Sequence, residues 1–332
     1  MALTKIADVV VPEIYDAYGM ERSIYHSALY KSGIIVADPK IKANLEGGAK
    51  QFVTPFWQDI IDLDNLDEVP SETNDVNTDK VTASEFNVRR QFRVKKWGSS
   101  NMASVLSGVN PIDAILSMIE NFWNTAMQVN LFSQIQGVIA DNIANDGGDL
   151  VYDVTGIGDG KISSEAIIDT NFLMGDKFDE ISTIAMHSKP YSTLVKNNLI
   201  DFEADSEQNV GFGTYLGKTV ILDDHATKVT EGDSTVYWNI MFKNGAFGYG
   251  ESYSGYLPTE VDRNADRSGG EDYLHTRRVF ALHPAGFNWV ESSITGGDGK
   301  FPSNADLKNG ANWDRAFSSA KNVGFLVCKT LG

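Results

Sequence analysis

The sequence predicts an α+β fold spread along the chain rather than wound as repeating units, and three observations carry that reading. Residues 51–96 hold two strand patterns joined by a long acidic connector. Residues 110–146 hold one helical pattern of unusual length. Beyond Gly148 come short strand and helix patterns in mixed order, with no internal repeat and no low-complexity tract.

Taken in order, residues 1–48 mix short helical patterns with Gly19, Gly33 and the pair Gly47-Gly48, and lack the sustained periodicity of a self-sufficient domain. They read as an arm that packs on something else. Gln51 to Trp57, rich in aromatic and β-branched residues, reads as a strand, and Thr54-Pro55 makes it an edge strand or a kinked one. The connector 59–79 carries Asp59, Asp62, Asp64, Asp67, Glu68, Glu72, Asp75 and Asp79 around Pro70, the composition of an exposed loop tip. From Val81 to Lys96 the pattern alternates: Phe86, Val88, Phe92 and Val94 share one parity, while Glu85, Arg89, Arg93 and Lys95 share the other. That spacing predicts one strand with an apolar face and a basic face. The two strands form an extended hairpin that cannot bury its apolar side alone, so the expectation is a covering surface on another subunit.

Asn110-Pro111 supplies an N-cap and a proline at the first helical position, and Asp146-Gly147-Gly148 supplies a stop. Between them Ile112, Ile115, Leu116, Ile119, Phe122, Trp123, Ala126, Leu131, Ile135, Val138, Ile139 and Ile143 recur mostly three or four apart. At 1.5 Å per residue the run spans roughly 50 Å. A rod of that length beside a hairpin suggests a spine within a plate. Further on, Gly156, Gly158 and Gly160 mark a turn. Ile181 to Met186 reads as a strand, and His187-Ser188-Lys189-Pro190 opens a short helix through Tyr191, Leu194, Val195 and Leu199. Val220–Leu222, Val236–Phe242 and Arg278–His283 read as strands.

Composition narrows the function. The chain has 332 residues, 42% of them hydrophobic, enough for a substantial core in one large domain or two medium ones. A single cysteine, Cys328, leaves no intramolecular disulfide and no thiol pair for redox or zinc chemistry, so a reducing compartment is expected. Val9-Val10-Val11 is stopped by Pro12-Glu13, which does not make a signal peptide, and no run of about twenty apolar residues is available to span a bilayer. The expectation is a soluble chain made in the cytoplasm. A net charge of −17 opposes direct nucleic-acid binding, which needs a cationic footprint.

The motifs that would carry chemistry are incomplete. Gly156-x-Gly158-x-Gly160-Lys161 meets neither the dinucleotide nor the Walker A spacing. Gly250-Glu251-Ser252-Tyr253-Ser254 has serine where a nucleophile elbow needs glycine. His26, His187, His225, His275 and His283 show no metal-ligand spacing, and the run Asp62 to Asp67 lacks the glycine and closing glutamate of a calcium loop. No catalytic, cofactor or metal residue is therefore assigned, and the chain is read as a non-enzyme. The remaining candidate site is a subunit interface: Asp62, Asp64, Asp67 and Glu68 at the acidic tip, and Arg89, Arg90, Arg93, Lys95 and Lys96 on the following strand. The basic set admits three readings, a solvated strand face, a nucleic-acid patch or a dock for a carboxylate-rich neighbour. The third ranks first because the same ribbon carries the matching acids. Opposite charges at its two ends suit head-to-tail contacts between identical subunits. Exposed pairs of this kind contribute about 0.2–1 kcal/mol each, enough to set register rather than total stability.

The carboxyl-terminal half carries a resemblance. Ile184-Ala185-Met186-His187-Ser188-Lys189-Pro190-Tyr191 with Leu194, and Leu216-Gly217-Lys218-Thr219-Val220-Ile221-Leu222-Asp223-Asp224, resemble stretches of phage coat proteins with the HK97-like fold. Asp272-Tyr273-Leu274-His275-Thr276-Arg277-Arg278-Val279-Phe280-Ala281-Leu282-His283-Pro284-Ala285-Gly286-Phe287 is similar to the signature of the Gp13-like branch, and Asn312-Trp313 with Lys321-Asn322-Val323-Gly324 fits the same branch. The resemblance implies an N-arm at 1–48 and an E-loop hairpin at 49–98. A first part of the peripheral domain follows at 99–164, with the spine helix at 110–146. An axial domain would occupy 165–270, and 271–332 would return to the peripheral domain. It implies a major capsid protein that forms hexamers and pentamers of an icosahedral head enclosing the genome, located in the virion and assembled in the host cytoplasm. Its expected partners are itself, portal and scaffolding proteins and a decoration protein, with DNA enclosed without sequence-specific binding and no membrane or cofactor involved. A separate scaffolding protein or prior cleavage is implied, because too few residues precede the hairpin to hold a fused scaffold. Lys80, Asn304 and Asn309 match no crosslinking motif. The alternatives are the shell of an encapsulin-like nanocompartment, and a metal-dependent hydrolase or carbohydrate-binding protein using the acidic loop.

Overall fold

The structure, a computed structural model, describes residues 33–58, 80–101, 111–197, 214–224, 228–232, 234–266, 269–317 and 319–331. In chain order these form β1 (Ile35–Ala37), α1 (Pro39–Glu46), β2 (Gln51–Trp57), β3 (Ala83–Arg89), β4 (Gln91–Ser100), α2 (Pro111–Asn145), β5 (Val151–Asp153) and α3 (Ser164–Phe172). There follow β6 (Ile181–Met186), α4 (Ser188–Lys196), β7 (Thr214–Tyr215), β8 (Lys218–Leu222), β9 (Lys228–Glu231), β10 (Ser234–Lys243), β11 (Phe247–Ser252), β12 (Thr259–Asn264) and β13 (Glu271–Pro284). The chain continues through β14 (Phe287–Trp289), α5 (Asn304–Lys308), β15 (Trp313–Arg315) and β16 (Phe325–Leu331).

Two larger sheets organise the body. One runs β1-β11-β13-β12, with β4 on the other side of β13; the other runs β5-β16-β10-β6-β8-β7, with β9 hairpinned onto β10. One apolar core joins them, drawing Phe280 and Leu282 from the first sheet, Ile184, Ile240 and Val327 from the second, and Leu131, Ile135, Val138 and Ile139 from α2. The rings of Phe242, Phe247 and Phe325 lie 5.8–6.4 Å apart in its middle. Each such buried side chain contributes about 1.5–3 kcal/mol by leaving water.

The long helix is the clearest agreement with expectation. It runs Pro111–Asn145, and Gly147 and Gly148, at φ +73° and +74°, turn the chain back so that Gly148 N–H reaches Asn142 O at 3.0 Å. The expected N-cap Asn110 lies outside the described residues. At Gly137 a Cβ would sit 2.0 Å from Leu307 O, so only glycine lets α5 and β15 press against this helix. Gln51–Trp57 and Ile181–Met186 form as read, and His187 caps α4 by accepting from Lys189 N–H at 3.0 Å.

Two expectations are corrected. The stretch 81–96 is not one strand. It breaks at Arg90, whose N–H donates to Lys50 O, and its halves pair with different partners: β3 with β2, β4 with β13. The ribbon is also not bare, because its foot packs on its own chain. Phe52 and Val88 join Ile41, Leu45 and Ala281 in a small core, Phe86 stacks on His283 at 5.4 Å, and Phe56 meets Phe317 edge-on at 5.2 Å. The sheets also bring together distant parts of the chain. Strands β11 and β12 join β13, whereas β16, far along the chain, enters the sheet of β6 and β10.

Candidate assembly surfaces

The motifs tested for chemistry resolve into structure. Gly156 to Gly160 is a turn leading to Lys161, which bridges the end of β16, and Ser252 is the buried last residue of β11, not the exposed tip of an elbow. His283 is buried, and desolvation pushes its pKa down to about 4; its Nε2 lies 2.8 Å from Phe287 O, the geometry of a neutral ring donating to a carbonyl. Burial pushes the Cys328 thiol up to about 11. Among the described residues no three His, Cys, Asp or Glu side chains converge as metal ligands, and no helix is long and apolar enough to cross a membrane. His26, His225 and the acidic run Asp62, Asp64, Asp67 and Glu68 lie outside the described residues.

The five basic candidates have different fates. Arg89, with its side chain 3% exposed, donates to Lys300 O at 2.6 Å and pairs with Glu291 at 3.2 Å. Arg90 donates to Leu45 O. Arg93 donates to Pro302 O and, at 3.2 Å each, to Gln91 Oε1 and Asn304 Oδ1. Burial lowers the pKa of all three guanidiniums, against the opposing pull of Glu291 on Arg89 and of Asp306 on Arg93. Lys95 and Lys96 stay exposed, Lys95 5.7 Å from the Phe122 ring and Lys96 3.8 Å from that of Tyr273. The arginines therefore fasten the hairpin foot and β4 to the body, and the exposed positive charge of the set narrows to the two lysines.

The segment that receives the arginines is itself clamped. Asp306 accepts from Thr295 N–H and Oγ1, Gly296 N–H, and Ser303 N–H and Oγ, all within 2.8–3.0 Å, and Ser303 and Asp306 close a capping box on α5. Burial raises this carboxyl's pKa, but the convergent donors outweigh it and hold the group well below the ordinary carboxylate range. The Ser303-x-x-Asp306 spacing was a signal that sequence reasoning passed over.

Other surfaces lie open. Towards the start of α2, Met118 is 57% and Phe122 37% exposed, with exposed Val94 on neighbouring β4. On the hairpin, Trp57 is 74% exposed and Val53 is also open. A third open face, on α3 and the turn after it, was not anticipated.

Comparison with known proteins decides the family. Residues 43–324 match the family described as Gp13-like, major capsid protein 13-like. The chain belongs to this family of major capsid proteins. It is 35% identical over 324 residues to the major capsid protein of Bacillus phage SPP1, covering 97% of this chain and 96% of that relative. Among solved structures it is similar to the capsid of Ralstonia phage GP4, with a TM-score of 0.58 at 9% identity over 90% of this chain and 87% of that one. It is also similar to the Cyanophage Pam1 capsid, with a TM-score of 0.54 at 7% identity over 87% of each chain. At such identities these likenesses speak for the fold, the mixed α+β, HK97-like capsid fold. This Gp13-like protein is a structural component of the icosahedral phage head, not an enzyme, and it self-associates in the shell.

Proposed function

We propose that this capsid protein forms hexamers and pentamers in which the far part of the β2–β3 hairpin lies over a neighbouring copy. The acidic residues between those strands, Asp62, Asp64, Asp67 and Glu68, meet Lys95 and Lys96 of that neighbour. The observation that carries this is exposed Lys95 standing 5.7 Å from exposed Phe122, with exposed Met118 one turn before it on α2, while Val94 and Lys96 are exposed on the other face of the same strand. An acidic, apolar-flanked ribbon is complementary to such a surface. Arg89, Arg90 and Arg93 act one step back: they hold the foot, and so fix the direction in which the ribbon leaves the body. The helix α2 stiffens the subunit as its spine. The sheet of β4 and β13 forms the peripheral domain, and that of β6 and β10 the axial domain. Portal, scaffolding and decoration proteins complete the head, and DNA is enclosed without sequence-specific contact, in keeping with a net charge of −17.

The test is a charge reversal, Lys95→Glu with Lys96→Glu, under conditions in which the unsubstituted chain makes particles. Negative-stain microscopy and size exclusion are expected to show loss of closed shells while the isolated chain keeps its melting temperature. Partial recovery is expected on adding Asp64→Lys with Asp67→Lys in the same chain. Normal shells from the reversed chain would refute the docking.

A further inference from the structure

A cleft of about 490 Å³ opens between α3, the 3-10 turn Gly175–Glu180 and the β7–β8 turn. Its rim is apolar and exposed: Ile168 and Phe172 on α3, Phe178 with its ring 5.0 Å from that of Phe172, and Leu216. Four large apolar side chains left open together on one patch mark an interaction surface. Leu216 holds φ +51° in a two-residue hairpin turn, a left-handed conformation that asparagine, aspartate or glycine adopts with less strain. An exposed leucine kept there points to something that uses its side chain.

The floor beneath this rim is closed and partly polar. Asn171 lines the cleft, only 8% exposed, and its Oδ1 accepts no hydrogen bond. Such an acceptor is costly to bury unless a donor arrives. Lys218, also 8% exposed, lines the same floor and donates to Ile181 O at 2.6 Å.

Charge identifies the occupant. Glu165, Ile168, Asp169 and Phe172 fall at i, i+3, i+4 and i+7, so the exposed stripe of α3 interleaves two acids with two apolar side chains, and exposed Asp179 adds a third acid near Phe178. The same chain carries a stripe of equal length and opposite sign on α4, where Lys189 and Lys196 are exposed seven residues apart, with Ser192 and Thr193 between them. Lysine ammonium groups laid on this patch meet carboxylates and the faces of two phenylalanines at once.

We infer that the α3 face is a contact between copies of this chain, filled by the α4 face of a second copy. The inference rests on self-association in the shell and is independent of the hairpin docking. The second copy covers Phe172, Phe178 and Leu216.

The experiment compares particle yield with the fold of the isolated chain. Phe172→Asp with Phe178→Ser, and separately Ile168→Gln as a milder change, are expected to lower particle yield at least tenfold for the first and severalfold for the second, with unchanged circular dichroism and melting temperature. Glu165→Lys with Asp169→Lys is expected to abolish particles, and adding Lys189→Glu with Lys196→Glu in the same chain to restore them. Full yield from the Phe and Ile variants, or a fall in melting temperature with full yield, would overturn the contact; the latter would mean that the chain covers the face itself. Failure of the lysine swap to restore particles would overturn the assignment of α4. Normal shells from Lys95→Glu with Lys96→Glu, alongside lost shells from the α3 variants, would remove the hairpin docking and leave this contact standing.

Discussion

The two halves of α2 are built from similar residues and behave differently. Leu131, Phe132, Ile135, Val138 and Ile139 are all but inaccessible to water within the chain's own core, whereas earlier on the same helix Ile119 and Trp123 are buried while Met118 and Phe122 are open. One half makes the subunit fold, and the other offers part of its apolar surface outward. Hydrophobic periodicity alone does not distinguish these jobs, because the helix has one repeat and two environments.

The widest separation between the halves is expected from Ile135→Ala against Met118→Ser. The first leaves a cavity in a packed core and should cost about 3–5 kcal/mol in denaturant unfolding of the isolated chain. The second should stay within about 0.5 kcal/mol and show its effect in particle yield. Similar unfolding midpoints for the two variants would break the comparison.

Next in size is acidity. His283 stacks on Phe86 at the foot of the hairpin, and its folded pKa of about 4 lies below the ordinary 6.5. Between those values the unfolded chain takes up the proton first, so stability should fall as pH drops from 6.5 towards 4, by about 3 kcal/mol at most. Melting curves at pH 7 and pH 4.5 check this, and His283→Gln should flatten the dependence across that window. Asp306 acts lower: its depressed carboxyl supports the fold above the ordinary carboxylate range and loses that support only on stronger acidification.

The smallest contrast sharpens the comparison within the basic set. Arg89→Met should cost the isolated chain about 1–3 kcal/mol, because Glu291 and Lys300 O lose their partner in a largely dry site. Lys95→Met, on the exposed surface, should fall within about 0.5 kcal/mol. Equal losses would mean that Lys95 also fastens the fold.

Much of the frame was legible because it rests on local pattern. The 3.6-residue repeat and its glycine stop defined α2, alternation defined the hairpin strands, and His187-Ser188-Lys189-Pro190 marked the start of α4. Features that depend on distant partners were not legible. The alternation from Val81 to Lys96 continues across Arg90 although the strand changes partner there, so parity did not reveal that Arg89 turns inward to Lys300. The run Phe325–Cys328 is apolar without a period, as a strand covered on both faces is, and so offers no alternation to read. The α3 face carried a readable signal, apolar residues three and four apart from acids, but nothing in the sequence says which stripe the core will leave open.

The position of β16 has a consequence for how shells are supplied with sound subunits. This strand lies between β5 and β10 with its first six residues buried, so the larger sheet has a gap in its interior until residues 325–331 have emerged from the ribosome. A translation product cut short before that point lacks an interior strand and exposes the apolar walls on both sides of it. Chains cut before residue 325 are therefore expected to fail at folding, before any contact with a sister copy can be made.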